Sequence, residues 1–282
     1  MAFVKIWRTI RQQGVRAAFR RMATRVPGYL RGVSSWEFGR CRCCERSTIF
    51  LAHANGSAEF RACLFCSANE RYELLAMEIR KRYGIRLREM DVLELDPRSP
   101  LKPLLSRAKT YIRSFYEEGH SLELKDGAVC LDITRLALED ESLDLIVSSD
   151  VLEHVPCLDR ALTETARVLR PGGVHLFTVP PRAITTRRAE IINGTVQHIE
   201  PPEHHLDPLS REGILAFWDI GPDFAEAFPT QDLDIRIVRG PVGDAGRVVW
   251  MAERVARQGC VASNPHFVPQ SQRQNQCGKY LA

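Results

Sequence analysis

A chain of 282 residues, 44% hydrophobic and 26% charged, can bury one good-sized domain plus a smaller one. No apolar run approaches the roughly 20 residues of a membrane helix, and no charged-then-apolar start with a cleavage site marks a secretory signal, so the chain reads as cytoplasmic. The net charge of +4 is local in origin: residues 1–40 hold nine Lys/Arg against one acid, Glu37, which leaves the remainder at −4 and argues against a nucleic-acid-coating protein.

In chain order, residues 1–38 form a basic arm. Phe3, Trp7 and Ile10 share one helical face, and Val15, Phe19, Met22 and Val26 share another. Pro27-Gly28 ends the pattern. Over residues 1–30 such helices either lie on an anionic membrane surface, giving peripheral membrane contact, or dock on an acidic face of the protein's own body.

Residues 39–80 hold five of the nine cysteines, followed by an amphipathic helix from Glu70 to about Tyr83. Cys41-x2-Cys44 and Cys63-x2-Cys66 are separated by 18 residues. Each pair can set two thiolates on one tight turn, and two such turns make a tetrahedral four-sulfur shell suited to zinc. A closed shell has no open position for substrate, so the expected role is in folding. Cys43 can replace a neighbour as ligand, and the alternative is a set of reduced thiols.

Residues 81–256 alternate strands and helices. Strands are expected over 89–96, 110–115, 128–133, 143–150, 174–179, 233–238 and 247–252. A helix is expected over 157–170, with Leu158, Ala161, Leu162, Thr165, Val168 and Leu169 buried and Pro171-Gly172-Gly173 as its stop. Residues 181–213 read as a non-periodic insert after a strand's carboxyl end, where lids and substrate loops occur. Residues 257–282, rich in Gln, Ser and Asn, read as a disordered tail.

Residues 127–180 carry the most information: GAVCLDITRLALEDESLDLIVSSDVLEHVPCLDRALTETARVLRPGGVHLFTVP. Apolar runs that end in acidic or small residues, with an amphipathic segment between them, are the pattern of a parallel sheet with a ligand at its carboxyl edge. This stretch resembles the second half of a class I S-adenosylmethionine-dependent methyltransferase of the type 11-like group. The cysteine segment, with its Cys63-Leu64-Phe65-Cys66-Ser67 run, is similar to the zinc-ribbon-like segment ahead of certain bacterial methyltransferase domains. In those a Gly usually stands where this chain has Ser67. The resemblance implies an α/β fold: a Rossmann-like, seven-stranded, mostly parallel sheet preceded by a small four-Cys zinc-ribbon-like subdomain.

It also implies S-adenosylmethionine as cofactor and assigns residues to it. Leu131-Asp132-Ile133-Thr134 fits the turn after strand three, giving Asp132 the adenine amine with the Ile133 backbone beside it. Ser148-Ser149-Asp150-Val151-Leu152-Glu153-His154-Val155 fits the strand-four motif. Ser149 and Asp150 would border the methionine end, and His154 would face the transfer site as a general base, a helix cap or a polar filler. The Arg167-Val168-Leu169-Arg170-Pro171-Gly172-Gly173 run marks the entry to strand five. The first turn departs from the family: residues 92–101 contain no Gly, and only Glu94 and Asp96 supply its acids. At the ribose position stands Phe115, with Glu117 or Glu118 nearby to substitute.

In the insert, three His fall between His198 and His205; His204, His205 and Asp207 carry donors for a metal or line a substrate pocket. Arg182, Arg187 and Arg188 suit an anionic substrate or lie as exposed loop arginines. No Asn/Asp-Pro-Pro-aromatic motif follows strand four and no aromatic-basic interleaving occurs, so nucleic acid is not the expected acceptor. The acceptor is expected to be a small molecule or a saccharide, methylated on oxygen or nitrogen. The rival reading is a non-enzymatic, methyltransferase-like, zinc-containing binding module. A nicotinamide oxidoreductase is disfavoured by the missing Gly-x-Gly-x-x-Gly turn.

Overall fold

The computed structural model describes residues 33–53, 61–180, 186, 189–192, 195–199, 201, 203–205, 213–242 and 247–256. The amphipathic helices expected over residues 1–30, the tail from 257, and Arg182, Arg187, Arg188 and Asp207 lie outside the described residues. The described residues fall into two compact units: one of residues up to 84 with 98–107, the other of residues 85–97 and from 108 onward.

The first unit is a three-stranded antiparallel sheet with two helices. Its strands are β1 (Val33–Arg40), β2 (Ser47–His53) and β3 (Ala62–Cys63), in that spatial order. Its helices are α1 (Glu70–Arg82) and α2 (Lys102–Leu105). β1 begins ahead of the boundary expected at residue 39, so the end of the arm is part of this sheet. The two Cys-x2-Cys turns follow one plan. In the first, Cys41 N donates to Arg46 O at 3.0 Å and Glu45 N to Cys41 O at 2.9 Å. In the second, Cys63 N donates to Ala68 O at 2.9 Å and Ser67 N to Cys63 O at 2.8 Å. Each turn closes through a left-handed residue, Glu45 at φ 60° and Ser67 at φ 61°. That explains the family's Gly at the second position, where a Cβ is strained. Ser67→Val should therefore lower stability by about 1–2 kcal/mol in thermal melts while Ser67→Gly does not; equal melts for the two variants would refute the strain.

The second unit is built on an eight-stranded sheet. Its strands are β4 (Asp91–Glu94), β5 (Thr110–Phe115), β6 (Leu124–Lys125), β7 (Ala128–Cys130), β8 (Leu143–Ser149) and β9 (Leu169–Thr178), then β14 (Leu233–Val242) and β15 (Arg247–Arg254). Between the last two groups lie β10 (Ala189–Ile192), β11 (Thr195–His198), β12 (Glu203–His205) and β13 (Ile214–Ala216). The helices are α3 (Leu158–Val168) and α4 (Phe224–Ala227). The spatial order is β14-β15-β9-β8-β4-β5-β7-β6. β9, β8, β4, β5 and β7 run parallel; β15, β14 and β6 are antiparallel to their neighbours. All seven expected strands are present, and the eighth is the short edge strand β6.

The chain leaves β4 toward β5 and β7 on one side, and returns to β8 and β9 on the other. That reversal is the switch point where open α/β sheets bind ligands, outside the carboxyl ends of the strands. The core packs α3 and α4 on the sheet. Leu158, Ala161, Leu162 and Val168 meet Leu93, Ile146, Phe177 and Trp250 in one buried cluster.

Two expectations change. The helix expected over 157–170 ends at Val168, and strand β9 starts at once with Leu169. Leu143 pairs Leu169 while Leu145 pairs Val174, so Arg170 to Gly173 is looped out of the ladder. A Cβ on Gly173 would stand 2.8 Å from Arg170 O, and Gly172 has φ +76°. The Pro-Gly-Gly run thus makes a strand bulge, and extended Leu169 terminates the helix. The insert is not irregular throughout: β10 pairs β11 and β12 pairs β13 as antiparallel ladders.

His175, in the middle of β9, is fully buried, and its Nε2 meets Ser148 Oγ at 2.8 Å. Burial lowers its pKa from 6.5 to about 3. The unfolded chain takes this proton first. Stability from the neutral ring is therefore complete above pH 6.5 and falls by about 1.4 kcal/mol per unit below it, about 2 kcal/mol by pH 5. His175→Gln should flatten that acid slope in urea titrations at pH 7 and pH 5; an unchanged slope would refute the assignment.

Candidate functional site

The carboxyl ends of β4, β5, β7 and β8 bring Glu94, Phe115, Asp132 and Asp150 to one edge of the sheet. Glu94 is 1% exposed, and its carboxylate accepts the Tyr111 hydroxyl in a short hydrogen bond. Burial, then the charge of Glu94, drives the Tyr111 phenol far up, so it stays a donor. Ser114 Oγ donates to Glu94 O at 3.2 Å. Asp96 is half-buried in the turn that follows. That turn lacks the family's glycines but is held by Arg113, which donates to Pro97 O at 2.9 Å and to Asp126 O and Gly127 O at 2.9 and 3.0 Å.

At the end of β5, Phe115 lies under Lys125, and Glu117 pairs with Lys125 at 3.3 Å. Glu117 and Glu118 are exposed. No buried carboxylate stands at the ribose position among the described residues.

After β7, Thr134 donates both its N and its Oγ1 to Asp132 Oδ1 at 2.8 Å. Arg135 N donates to Asp132 O at 3.0 Å. This local turn orients the half-buried Asp132 carboxylate, while Ile133 beside it is buried.

At the end of β8 the backbone bends through Asp150, at φ 52°. Ser149 Oγ meets Thr178 Oγ1 at 3.1 Å, and Thr178 donates to Asp150 Oδ1 at 2.9 Å. Arg247 Nη1 lies 3.4 Å from both Asp150 oxygens. The side chains are 2% and 9% exposed, and burial pushes the Arg247 guanidinium down to about 10, still charged at neutral pH. The carboxylate expected beside the methionine end is thus tied to a buried cation from β15. Sequence reading missed this partner, because 97 positions separate the two residues.

His154 closes the single turn Leu152–His154 that follows β8. Its Nδ1 lies 2.9 Å from Leu215 O. A carbonyl only accepts, so Nδ1 carries a proton and Nε2 is the nitrogen left to face the site. The neighbouring Glu153 is 1% exposed. His154 does not cap helix α3, whose N-cap is Cys157.

In the first unit, Cys41 Sγ lies 3.5 Å from Cys66 Sγ and Cys44 Sγ lies 3.9 Å from Cys63 Sγ. All four sulfurs lie within 4.8 Å of one another. A zinc tetrahedron with ~2.3 Å bonds sets its sulfurs about 3.8 Å apart, so the four fit the ion. Cys43, also buried, is outside this set. Donors Cys43, Cys63 and Cys66 drive the Cys41 thiol far down, while burial and the Cys41 charge push Cys44 up to about 11. One thiolate forms easily and the next resists, a charge problem that a bound cation removes.

Residues 105–177, a span containing β5, β7, β8, α3 and most of β9, match the family model described as Methyltransferase domain. The malonyl-[acyl-carrier protein] O-methyltransferase of Methylococcus capsulatus is 51% identical over 52 residues, 18% of this chain and 19% of that protein. The protein of the same name from Methylovorus sp. is 41% identical over 63 residues, 22% of this chain and 21% of that one. The chain therefore aligns with about a fifth of the length of these curated relatives. An S-adenosylmethionine-dependent methyltransferase from Mesorhizobium loti covers 66% of this chain and 99% of its own, at 15% identity and a TM-score of 0.46. The methyltransferase-domain match is thus confined to residues 105–177, the stretch that builds much of the mostly parallel sheet and its switch-point edge.

Proposed function

We propose that the protein transfers a methyl group from S-adenosylmethionine to an oxygen or nitrogen of a small-molecule, saccharide or carrier-linked acceptor. The observation that carries this reading is the family match across residues 105–177, which spans the switch-point edge where Asp132, Ser149 and Asp150 stand. Asp132 would hold the adenine amine, with the Ile133 backbone beside it. Glu94 and Asp96 would face the first turn, and the β8 edge would line the methionine end. Methyl transfer is a displacement at a sulfonium carbon, so the protein mainly positions the pair and accepts a proton. The curated relatives are named for an acyl group on a carrier protein, which favours an oxygen acceptor. We also assign Cys41, Cys44, Cys63 and Cys66 to one structural zinc, on their tetrahedral spacing.

Two observations support the rival reading of a non-enzymatic binding module: the first turn has no glycine, and the Glu94 carboxylate already accepts the Tyr111 hydroxyl. Calorimetry separates the two. Micromolar binding of S-adenosylhomocysteine is expected; no heat, and no competition with S-adenosylmethionine, would sink the enzyme reading.

A further inference from the structure

Apart from the cysteine cluster, a second group of ligand-type side chains converges in the chain. Glu153, His154 and His205 bring one carboxylate oxygen and two imidazole nitrogens within 4.8 Å of one another. They come from distant parts of the sequence. Glu153 and His154 lie in the turn after β8, and His205 ends β12. Glu153 O accepts Phe217 N at 2.8 Å and Trp218 N at 3.2 Å. Trp218 Nε1 donates to Val155 O at 2.8 Å. These bonds fix the segment after β13 on the Leu152–His154 turn. β13 in turn pairs His205 with Ile214 and His204 with Leu215. Gly213 lets that ladder close, since a Cβ there would stand 2.5 Å from His205 O. Neighbouring strand residues face opposite ways. His204 is exposed, whereas the ring of His205 meets that of His154 edge-on at 5.0 Å.

The orientation of the two rings is the second observation. His154 donates Nδ1–H to Leu215 O, and its Nε2 lies 3.7 Å from Glu153 Oε1. His205 directs Nε2 toward Glu203 Oε1 at 3.6 Å, so its Nδ1 faces the same Glu153 oxygen at 3.8 Å. A histidine that holds its outer nitrogen on a backbone carbonyl, as His154 does, is oriented as metal-ligating histidines are. Two imidazole nitrogens thus converge on one oxygen of a carboxylate that is 1% exposed. Ligands bonded at about 2.1 Å lie roughly 3.0–3.4 Å apart, so a small contraction closes the shell.

We propose that Glu153, His154 and His205 bind one divalent first-row transition cation, with Glu203 orienting His205. Two imidazoles and a carboxylate suit zinc, manganese, iron or cobalt, and three protein ligands leave positions open. The site follows the carboxyl end of β8. On the methyl-transfer reading, on which this one clause rests, the open positions would meet the acceptor's oxygen. His154 Nε2 then serves as a ligand, a role beyond the general base, helix cap or polar filler weighed from the sequence.

Manganese tests the site in the full-length protein, because its preference for oxygen and nitrogen ligands keeps it out of the four-Cys cluster. Electron paramagnetic resonance reads the free ion directly. Wild-type protein should remove about one Mn²⁺ per chain from the signal, and added Zn²⁺ should release it. His205→Ala should weaken binding at least tenfold, and His204→Ala should leave it unchanged. Should His205→Ala fail to fold, Glu203→Gln, at the rim of the cluster, should weaken binding in the same direction. A free-ion signal untouched by wild-type protein would overturn the proposal without any variant, as would equal binding by wild type and His205→Ala. S-adenosylhomocysteine binding, measured separately, keeps this outcome distinct from failure of the methyl-transfer reading.

Discussion

Cys63→Ser should cost the protein one equivalent of zinc and unfold the three-stranded sheet of the first unit. Cys63 is fully buried on β3, donates to Thr48 Oγ1 at 3.4 Å, and begins the second cysteine turn. The unit has a modest core: Phe50 and Leu51 from β2, and Leu74, Leu75, Ala76 and Ile79 from α1. Cores of this size rarely stabilise a fold alone, whereas structural zinc contributes about 10–16 kcal/mol in zinc-finger peptides. Polar links add little on their own. Arg61 bridges Glu37 and Glu73, and Arg80 and Arg107 both reach Glu45, but these side chains are partly exposed and such pairs are each worth about 1 kcal/mol or less. Cys43→Ser is the control: the residue is buried in the same turn without belonging to the four-sulfur set, so the variant should keep the metal. Metal analysis and limited proteolysis check both variants. Full zinc content in Cys63→Ser, or equal loss in Cys43→Ser, would overturn the assignment.

Much of the fold was legible because the signals are local. The apolar stripe of α3 repeats at helical spacing, and β8 is a short, mostly buried run whose length and polar flanks mark a strand. The two Cys-x2-Cys turns were legible for a similar reason, since their ligand spacing is a property of a few consecutive residues. What sequence missed depends on chain-distant partners. Arg247 looked like an ordinary strand residue until β15 lay antiparallel to β9 and turned it toward Asp150. Tyr111 and Glu94 meet only because β4 and β5 pair in parallel register. His204 and His205 were indistinguishable in sequence; their different roles follow from strand alternation once β12 and β13 pair. At Leu169 two local rules competed. Helical periodicity carried on through it, but its pairing with Leu143 favoured an early strand start, and the glycines absorbed the extra residues.

Asp132→Ala should raise the dissociation constant for S-adenosylhomocysteine by about 10–100-fold, the loss of one charge-assisted hydrogen bond worth about 1.5–3 kcal/mol. The carboxylate is held by Thr134 through Oδ1, so an adenine amine would meet Oδ2. Thermal stability should fall little, because Asp132 is only half-buried and its bonds lie within one turn. Glu94 needs a gentler change. Its carboxylate accepts the buried Tyr111 hydroxyl, and Glu94→Ala would leave that donor unsatisfied, confusing lost binding with lost stability. Glu94→Gln keeps an acceptor for Tyr111 and removes only the charge. On the enzyme reading it should weaken the cofactor, with its cationic amine and sulfonium, more than it weakens the sugar-and-base fragment adenosine. On the binding-module reading, neither Asp132→Ala nor Glu94→Gln changes anything that calorimetry can detect. A tenfold loss in Asp132→Ala with an unchanged melting temperature therefore supports a working cofactor edge at β7. Unaltered S-adenosylhomocysteine affinity in both variants would remove these two residues from the cofactor site.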